Sequence, residues 1–305
     1  MAIEAFANPS GRRTSGFRAL RTVQVPILFL ATATALWGLT NVVQKLALEE
    51  MGPFTVIAAR CWLGALALMP LALRERARAS PSPALRRDPS VVIATFSFCT
   101  GLCLQQVSAG LTTATNMGFI INSCAAIVPF IVWMTGGDRP TVRSLTASAV
   151  TVAGVTLLSG FSSNSGVGDF VCLASALSYA GWVVAVGRAV ANNVAACGFA
   201  MTQLLFTAGF ATLAALVIEE PSAQQFIAIA PGILFLGIFG TGVSFALAAH
   251  AQRGLGICAT AIIMNLESVF TAVASHIVMG EVLALAALGG GLMILAGCLI
   301  VQLKG

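Results

Sequence analysis

Ten apolar runs, each long enough to cross a bilayer, organise this chain of 305 residues. A helix needs about 20 apolar residues to span roughly 30 Å of hydrocarbon. The runs begin near Pro26, Pro53, Ser90, Thr112, Val142, Asp169, Ala196, Ile227, Ile257 and Val282. The expected fold class is an all-α integral membrane protein with ten transmembrane helices. Only 9% of the residues are charged and the mean hydropathy is +0.93. A soluble domain carries roughly 25% charged residues to cover its surface with water-loving groups.

The charges that remain are sorted by side. With the arginine-rich start of the chain placed inside, the inner segments hold Arg12, Arg13, Arg18, Arg21, Arg74, Arg76, Arg78, Arg86, Arg87, Arg139, Arg143, Arg188, Arg253 and Lys304. The outer segments then hold Glu49, Glu50, Asp169, Glu219, Glu220 and Glu281 and no basic residue. This positive-inside bias sets both termini in the cytoplasm of a multi-pass protein of the cytoplasmic (inner) membrane. The net charge of +5 is thus a topology signal, and no nucleic acid is expected as a partner. The loop RERARASPSPALRRD, 74–88, reads as solvated and close to anionic headgroups, and GFSSNSG, 160–166, as an outer loop. The first apolar run is too long for a signal peptide and reads as a retained span. All eight cysteines lie in apolar runs without a CxxC pair, so they read as small core residues, and no metal or cofactor is expected.

The sequence also repeats itself. Asp138 in TGGD matches Glu281 in VMGE, Gly154 in VAGV matches Gly297 in LAGC, and Arg60 matches Gln203, each 143 residues apart. The expected division is a tail at 1–25, a first repeat of five spans at 26–160, a connecting loop at 161–168 and a second repeat of five spans at 169–305. An odd number of spans makes the second half enter from the opposite side. The halves are therefore inverted repeats about a pseudo-twofold axis in the membrane plane, an arrangement of secondary transporters that bind substrate near the midplane between repeats.

Five collinear segments carry a resemblance: ALWGLTNVVQKLALEEMGPFTVIAAR, LQQVSAGLTTATNMGFI, IVPFIVWMTGGDRPT, FGTGVSFALAAHAQ and NLESVFTAVASHIVMGE followed by GGGLMILAG. Together they resemble the drug/metabolite transporter superfamily, EamA type, from Leu36 to about Gly297. The resemblance implies a ten-helix inner-membrane carrier of small metabolites. One position departs from it: the family usually reads Leu-Glu-Pro where this chain has Leu266, Glu267 and Ser268. Proline loosens a helix by removing a donor, so a hinge expected there is in doubt, with Pro129 of the first half as a partial substitute.

Polar groups inside a bilayer face a cavity or another helix, and they mark the substrate path. Trp37, Asn41, Gln44 and Lys45 share one face of the first helix by spacing. Lys45 either lines the path or snorkels toward Glu49 and Glu50. Arg60 either binds an anion or serves a structural ion pair. Gln105, Gln106, Asn116, Asn122, Gln203 and Asn265 are amides that contact substrate or hydrogen-bond between helices. Tyr179 and Trp182 share a face with Ser175 and Ser178 and offer aromatic surface to an organic substrate. His250 and His276 read as locally bonded, and Asp138 and Glu281 as helix caps.

Glu267 stands about ten residues into its apolar run, where an acidic residue costs on the order of 2.5 to 3.5 kcal/mol. It must carry a proton or meet donors or a cation. The cations within spans, Lys45 and Arg60, lie toward the outer face, so a proton is the simpler account and Glu267 becomes a candidate for proton coupling. The alternative is a structural hydrogen bond.

The expected function is a secondary active transporter, an exporter of small, weakly charged organic metabolites such as amino-acid-like compounds, acting by alternating access. No GxxxxGK[ST] motif supports a nucleotide motor. The alternatives are a passive facilitator or an intramembrane enzyme, and HExxH and GxSxG are absent. Expected partners are a small-molecule substrate and the lipid bilayer, with a homodimer left open.

Overall fold

A computed structural model describes residues 10–78, 88–112, 117, 120–159, 166–280 and 285–302, with side chains from Gln24 onward. Ten apolar helical segments appear among them. They are α1 (Gln24–Glu50), α2 (Pro53–Ala77), α3 (Pro89–Ala109), α4 (Ile120–Met134), α5 (Val142–Leu158), α6 (Val167–Ala191), α7 (Ala196–Ile218), α8 (Ala230–Ala251), α9 (Ile257–Met279) and α10 (Leu285–Val301). Seven are long enough to cross a membrane, and α4, α5 and α10 are the shorter ones. Glu281, GFSSNSG up to Ser165 and most of the arginine-rich loop lie outside the described residues.

The packing obeys the twofold relation. Helix α2 lies on α7 and α5 on α10, while α3 on α6, α4 on α6 and α2 on α8 are matched by α8 on α1, α9 on α1 and α7 on α3. Exchanging the halves leaves this set of neighbours unchanged. The α5–α10 pair runs antiparallel, since Arg143 near the start of α5 donates to the carbonyls of Ile300 and Val301 at the end of α10, at 2.9 and 2.7 Å. Arg188 likewise donates to Thr135 O after α4 at 3.1 Å, and Arg253 to Val194 O at 2.8 Å. These arginines, placed on one side by the charge pattern, satisfy carbonyls at helix ends and in the adjoining turns.

Several features of the backbone position the centre. A Cβ at Gly38 would stand 2.5 Å from Phe270 Cβ and 2.7 Å from Thr271 N, so only glycine lets α1 approach α9 this closely. Helix α8 contains a π-helical stretch, Leu236–Val243, in which Thr241 Oγ1 donates to Leu236 O at 2.8 Å. Helix α9 breaks at Asn265 without a proline. Its amide donates to Ala261 O at 3.1 Å, and Ser268 N reaches back only three residues to Asn265 O. A side chain that competes for backbone partners loosens the helix where proline was absent. The matching break in α4 is at Ser123, and Pro129 there leaves Ala125 O without its helical donor, a role taken by Ser148 Oγ of α5 at 3.1 Å.

At the start of α3, Asp88 accepts from Ser90 N and from Asn192 Nδ2, both at 2.8 Å. Partial burial alone would raise its carboxyl, but the bonds from Asn192 and Ser90 outweigh it and hold the group below its ordinary value.

Candidate functional site

Polar and aromatic groups from both halves meet where α1, α2, α3, α6, α7, α8 and α9 converge. The site rests on an aromatic cluster: the Phe245 ring of α8 lies 5.0 Å from that of Trp37, 4.8 Å from Phe98 and 5.7 Å from Trp182, centroid to centroid. Tyr179 borders it, 6.3 Å from Trp182. Edge-to-face rings at such separations hold one another in place.

Hydrogen bonds fix the polar groups around this cluster. Trp182 Nε1 donates to Gln203 Oε1 and Tyr179 Oη to Gln105 Oε1, both at 2.6 Å. Gln44 Nε2 donates to Gln106 Oε1 at 2.9 Å. Arg60, buried on α2, donates through Nε to Thr241 Oγ1 at 2.9 Å and through Nη1 to Gln44 Oε1. Asn41 Nδ2 donates to Glu267 Oε1 at 2.8 Å and to Thr271 Oγ1 at 3.1 Å. Arg60, Tyr179 and Glu267 are within electrostatic reach of one another, while no direct ion pair joins Arg60 to Glu267.

The structure therefore brings together Trp37, Asn41, Arg60, Gln105, Gln106, Tyr179, Trp182, Gln203 and Glu267. Arg60 reaches farther into the bundle than its position near the start of α2 suggests, because its long side chain extends to Gln44 and Thr241 and not to Glu49 or Glu50, which are exposed. Lys45 is exposed: it follows Gln44 by one residue, about 100° around a helix with 3.6 residues per turn, and so leaves the inward face. Asn265 is buried at the break of α9 and bonded to its own helix, and Asn122 sits half-buried beside the break of α4. Asn116 lies outside the described residues. Thr241, Phe98 and Phe245 belong to the cluster although the sequence reading did not select them. Phe245 stands in the quoted FGTGVSFALAAHAQ segment, but a lone phenylalanine in an apolar helix carries no polar signal.

Three polar atoms near the site are buried without a hydrogen-bond partner: Trp37 Nε1, Gln106 Nε2 and Asn265 Oδ1. Phe98, Trp182, Val186, Ala200, Gln203, Leu204, Phe245 and Ala249 enclose a cavity of about 10 Å³. That volume is on the order of what one water occupies, so the path is closed at this point.

Away from the centre, Glu75, Cys197 and His250 bring a carboxylate oxygen, a thiol and a ring nitrogen within 4.8 Å of one another. Their chemistry does not suit a cation. Glu75 already accepts three backbone N–H groups at the start of α7 and faces Arg253 at 3.6 Å, and both a helix N-terminus and a guanidinium repel a metal ion.

Comparisons with known proteins agree with this architecture. A model of the EamA-like transporter family matches residues 24–160 and again 166–303, five spans in each copy. Two Archaeoglobus fulgidus proteins, each described as an uncharacterized transporter, are similar. One is 26% identical over 280 residues, covering 91% of this chain and 85% of that protein. The other is 24% identical over 287 residues, covering 91% and 97%. A crystal structure matches with a TM-score of 0.79 at 16% identity, covering 92% of this chain and 98% of the other, and shares the fold. With both halves matched over most of its length, this multi-pass membrane protein belongs to the EamA-like transporter family.

Proposed function

We propose that the protein is a secondary active exporter of a small, weakly charged organic metabolite across the cytoplasmic membrane, with both termini inside, working by alternating access. The observation that carries this reading is the hydrogen-bonded meeting of amides, rings, one guanidinium and one carboxylate from both repeats, beside a nearly closed cavity lined by Phe98, Trp182, Gln203 and Phe245. A solute can pass so tight a centre only if the helices part, and parting on one side at a time is what inverted repeats perform. Trp37 and Trp182 offer flat apolar surface, while the unpartnered donors of Trp37 and Gln106 suit a substrate that carries an acceptor. An amino-acid-like compound has this mix of groups. Glu267 is the coupling residue: only Asn41 donates to it among the bonds given above, and it is half-buried, so it can take a proton from one side and release it to the other.

The test begins with a metabolite screen for thermal stabilisation of the purified protein, since a ligand of the folded state raises its melting temperature. The hit is then followed into proteoliposomes with and without a pH gradient. Glu267→Gln keeps the shape and removes the titration; gradient-driven transport should vanish while counterflow survives. Unchanged gradient-driven transport would remove Glu267 from the coupling. Absence of trans-acceleration in the unaltered protein would favour a passive facilitator over a carrier.

A further inference from the structure

Two carboxylates fasten the α2–α7 pair, one at each end. Glu75, in the last turn of α2, accepts the backbone N–H groups of Ala196, Cys197 and Gly198 at the start of α7, at 2.9, 2.8 and 3.2 Å. Glu219, just after α7, accepts those of Phe54 and Thr55 at the start of α2, both at 2.8 Å, and the Thr55 hydroxyl at 2.6 Å. The arrangement is reciprocal. Glu75 and Glu219 are 144 residues apart and their amide partners 143 apart, so each clasp is the twofold image of the other on the opposite face.

Each clasp holds the turn that leads into the site. Five residues after Thr55 comes Arg60, and five after its twofold mate Gly198 comes Gln203, the twofold-related pair of buried polar groups. Arg60 ties α2 to Gln44 and Thr241, and Gln203 ties α7 to Trp182. Ala200, Gln203 and Leu204 also form one wall of the closed cavity. Freeing the first turn of α7 therefore frees that wall, and freeing the first turn of α2 frees Arg60. A carboxylate on several N–H groups at a helix N-terminus is charge-assisted and complements the helix dipole. The Glu75 clasp is further braced by Arg253, which lies 3.6 Å from Glu75 and donates to Val194 O, joining the turns before α7 and after α8.

We propose that Glu75 and Glu219 are the positioning residues of the two gates: each closes its own face of the transport path by holding the first turn of the partner helix, and both are shut in this conformation. The inference rests on the alternating-access reading and adds to it which residues hold each side. Weakening one clasp then biases the cycle toward opening on that face alone, because a population shifts only by the differential stability of its states.

The experiment uses the full chain in a cysteine-free background carrying Ala200→Cys, in right-side-out and inside-out vesicles with an impermeant thiol reagent. Glu75→Gln should raise the labelling rate from the Glu75 face on the order of tenfold, leaving the other face unchanged or slower. Glu219→Gln should do the reverse. If either glutamine variant fails to fold, the aspartate variant, which keeps the charge but shortens the reach, is read in the same assay and should shift the same face less. Equal increases on both faces, or none on either, would overturn the proposal, as a merely structural cap predicts no sidedness. Cysteines at exposed Arg76 and Glu50 locate the faces independently. Should the Glu75 face prove external with the sidedness intact, the orientation falls and the gates stand.

Discussion

Arg60 and Gln203 occupy equivalent places in the two halves, yet one is a cation and the other an amide, so the site is asymmetric at the level of single residues. Gln203 spends its carbonyl on Trp182 Nε1 at 2.6 Å, deep among apolar rings. Replacing Trp182 by phenylalanine keeps the ring and orphans Gln203 Oε1, which costs about 1–3 kcal/mol in a buried setting. Hydrogen bonds between membrane helices average nearer 0.6 kcal/mol because the unfolded helices find other partners. We expect Trp182→Phe to lower stability by roughly 1–2 kcal/mol, and Gln203→Leu in the same chain to recover part of the loss. Unfolding of the two single variants and the double variant in detergent gives the coupling, and strictly additive losses would mean that the bond contributes nothing. Much of this residue scale was legible beforehand. Amides, tryptophans and charges inside apolar runs have few places to go, so their types alone pointed to Trp37, Asn41, Gln105, Gln106, Tyr179, Trp182, Gln203 and Glu267. Phe98 and Phe245 were not legible, because an aromatic residue inside a span looks the same facing lipid or a partner ring.

Helices meet here through small residues at points where chain chemistry leaves no room for a side chain. In the α5–α10 pair, a Cβ on Gly290 would lie 2.4 Å from Gly154 O and 2.5 Å from Leu158 N, and one on Gly154 would lie 2.7 Å from Gly290 O. Backbone atoms on both sides cannot yield as a flexible side chain does, and close approach of this kind holds membrane helices together where no hydrophobic effect does. Gly290→Ala should therefore force the pair apart and lower stability by about 1–3 kcal/mol, read as a lower melting temperature, whereas Gly209→Ala, with nothing near its Cβ, should leave it unchanged. Equal effects at both positions would show that the seam is not tight. The existence and order of the spans were readable from hydropathy, which depends only on composition along the chain. The π-helical stretch Leu236–Val243 was not, since the Thr241 side chain within it turns toward both Leu236 O and Arg60, the latter a contact between distant segments. The break at Asn265 is not legible either: the absence of proline at Ser268 puts a hinge there in doubt, and an asparagine bonding its own helix marks the break instead.

At the scale of the whole molecule, the inverted repeat ties topology to function, because an error in the sidedness of one loop would propagate to every equivalent helix. The 143-residue offset gave the two halves from sequence, and the antiparallel ends of α2–α7 and α5–α10 show the inversion in three dimensions. The signal for absolute orientation is charge. One set of helix ends carries Arg143, Arg188 and Arg253, each bonded to carbonyls at helix ends or in the turn before α7, while Glu49 and Glu50 stand exposed at the far end of α1. Moving basic segments across the membrane is opposed, so the arginine-rich ends are expected in the cytoplasm. Single cysteines answer this directly. In a cysteine-free chain in intact cells, Glu50→Cys and Glu220→Cys should react with an impermeant thiol reagent, and Arg76→Cys should react only after the cells are opened. These positions flank spans of both halves, so the two outer positions must agree. Reaction of Arg76→Cys from outside together with protection of Glu50→Cys would turn the molecule over and leave the repeat intact. Reaction at Glu50 with protection at Glu220 would instead break the inversion, since those residues lie after α1 and α7, which end on the same side only if the chain crosses the membrane an even number of times between them, as the six segments α2 to α7 require.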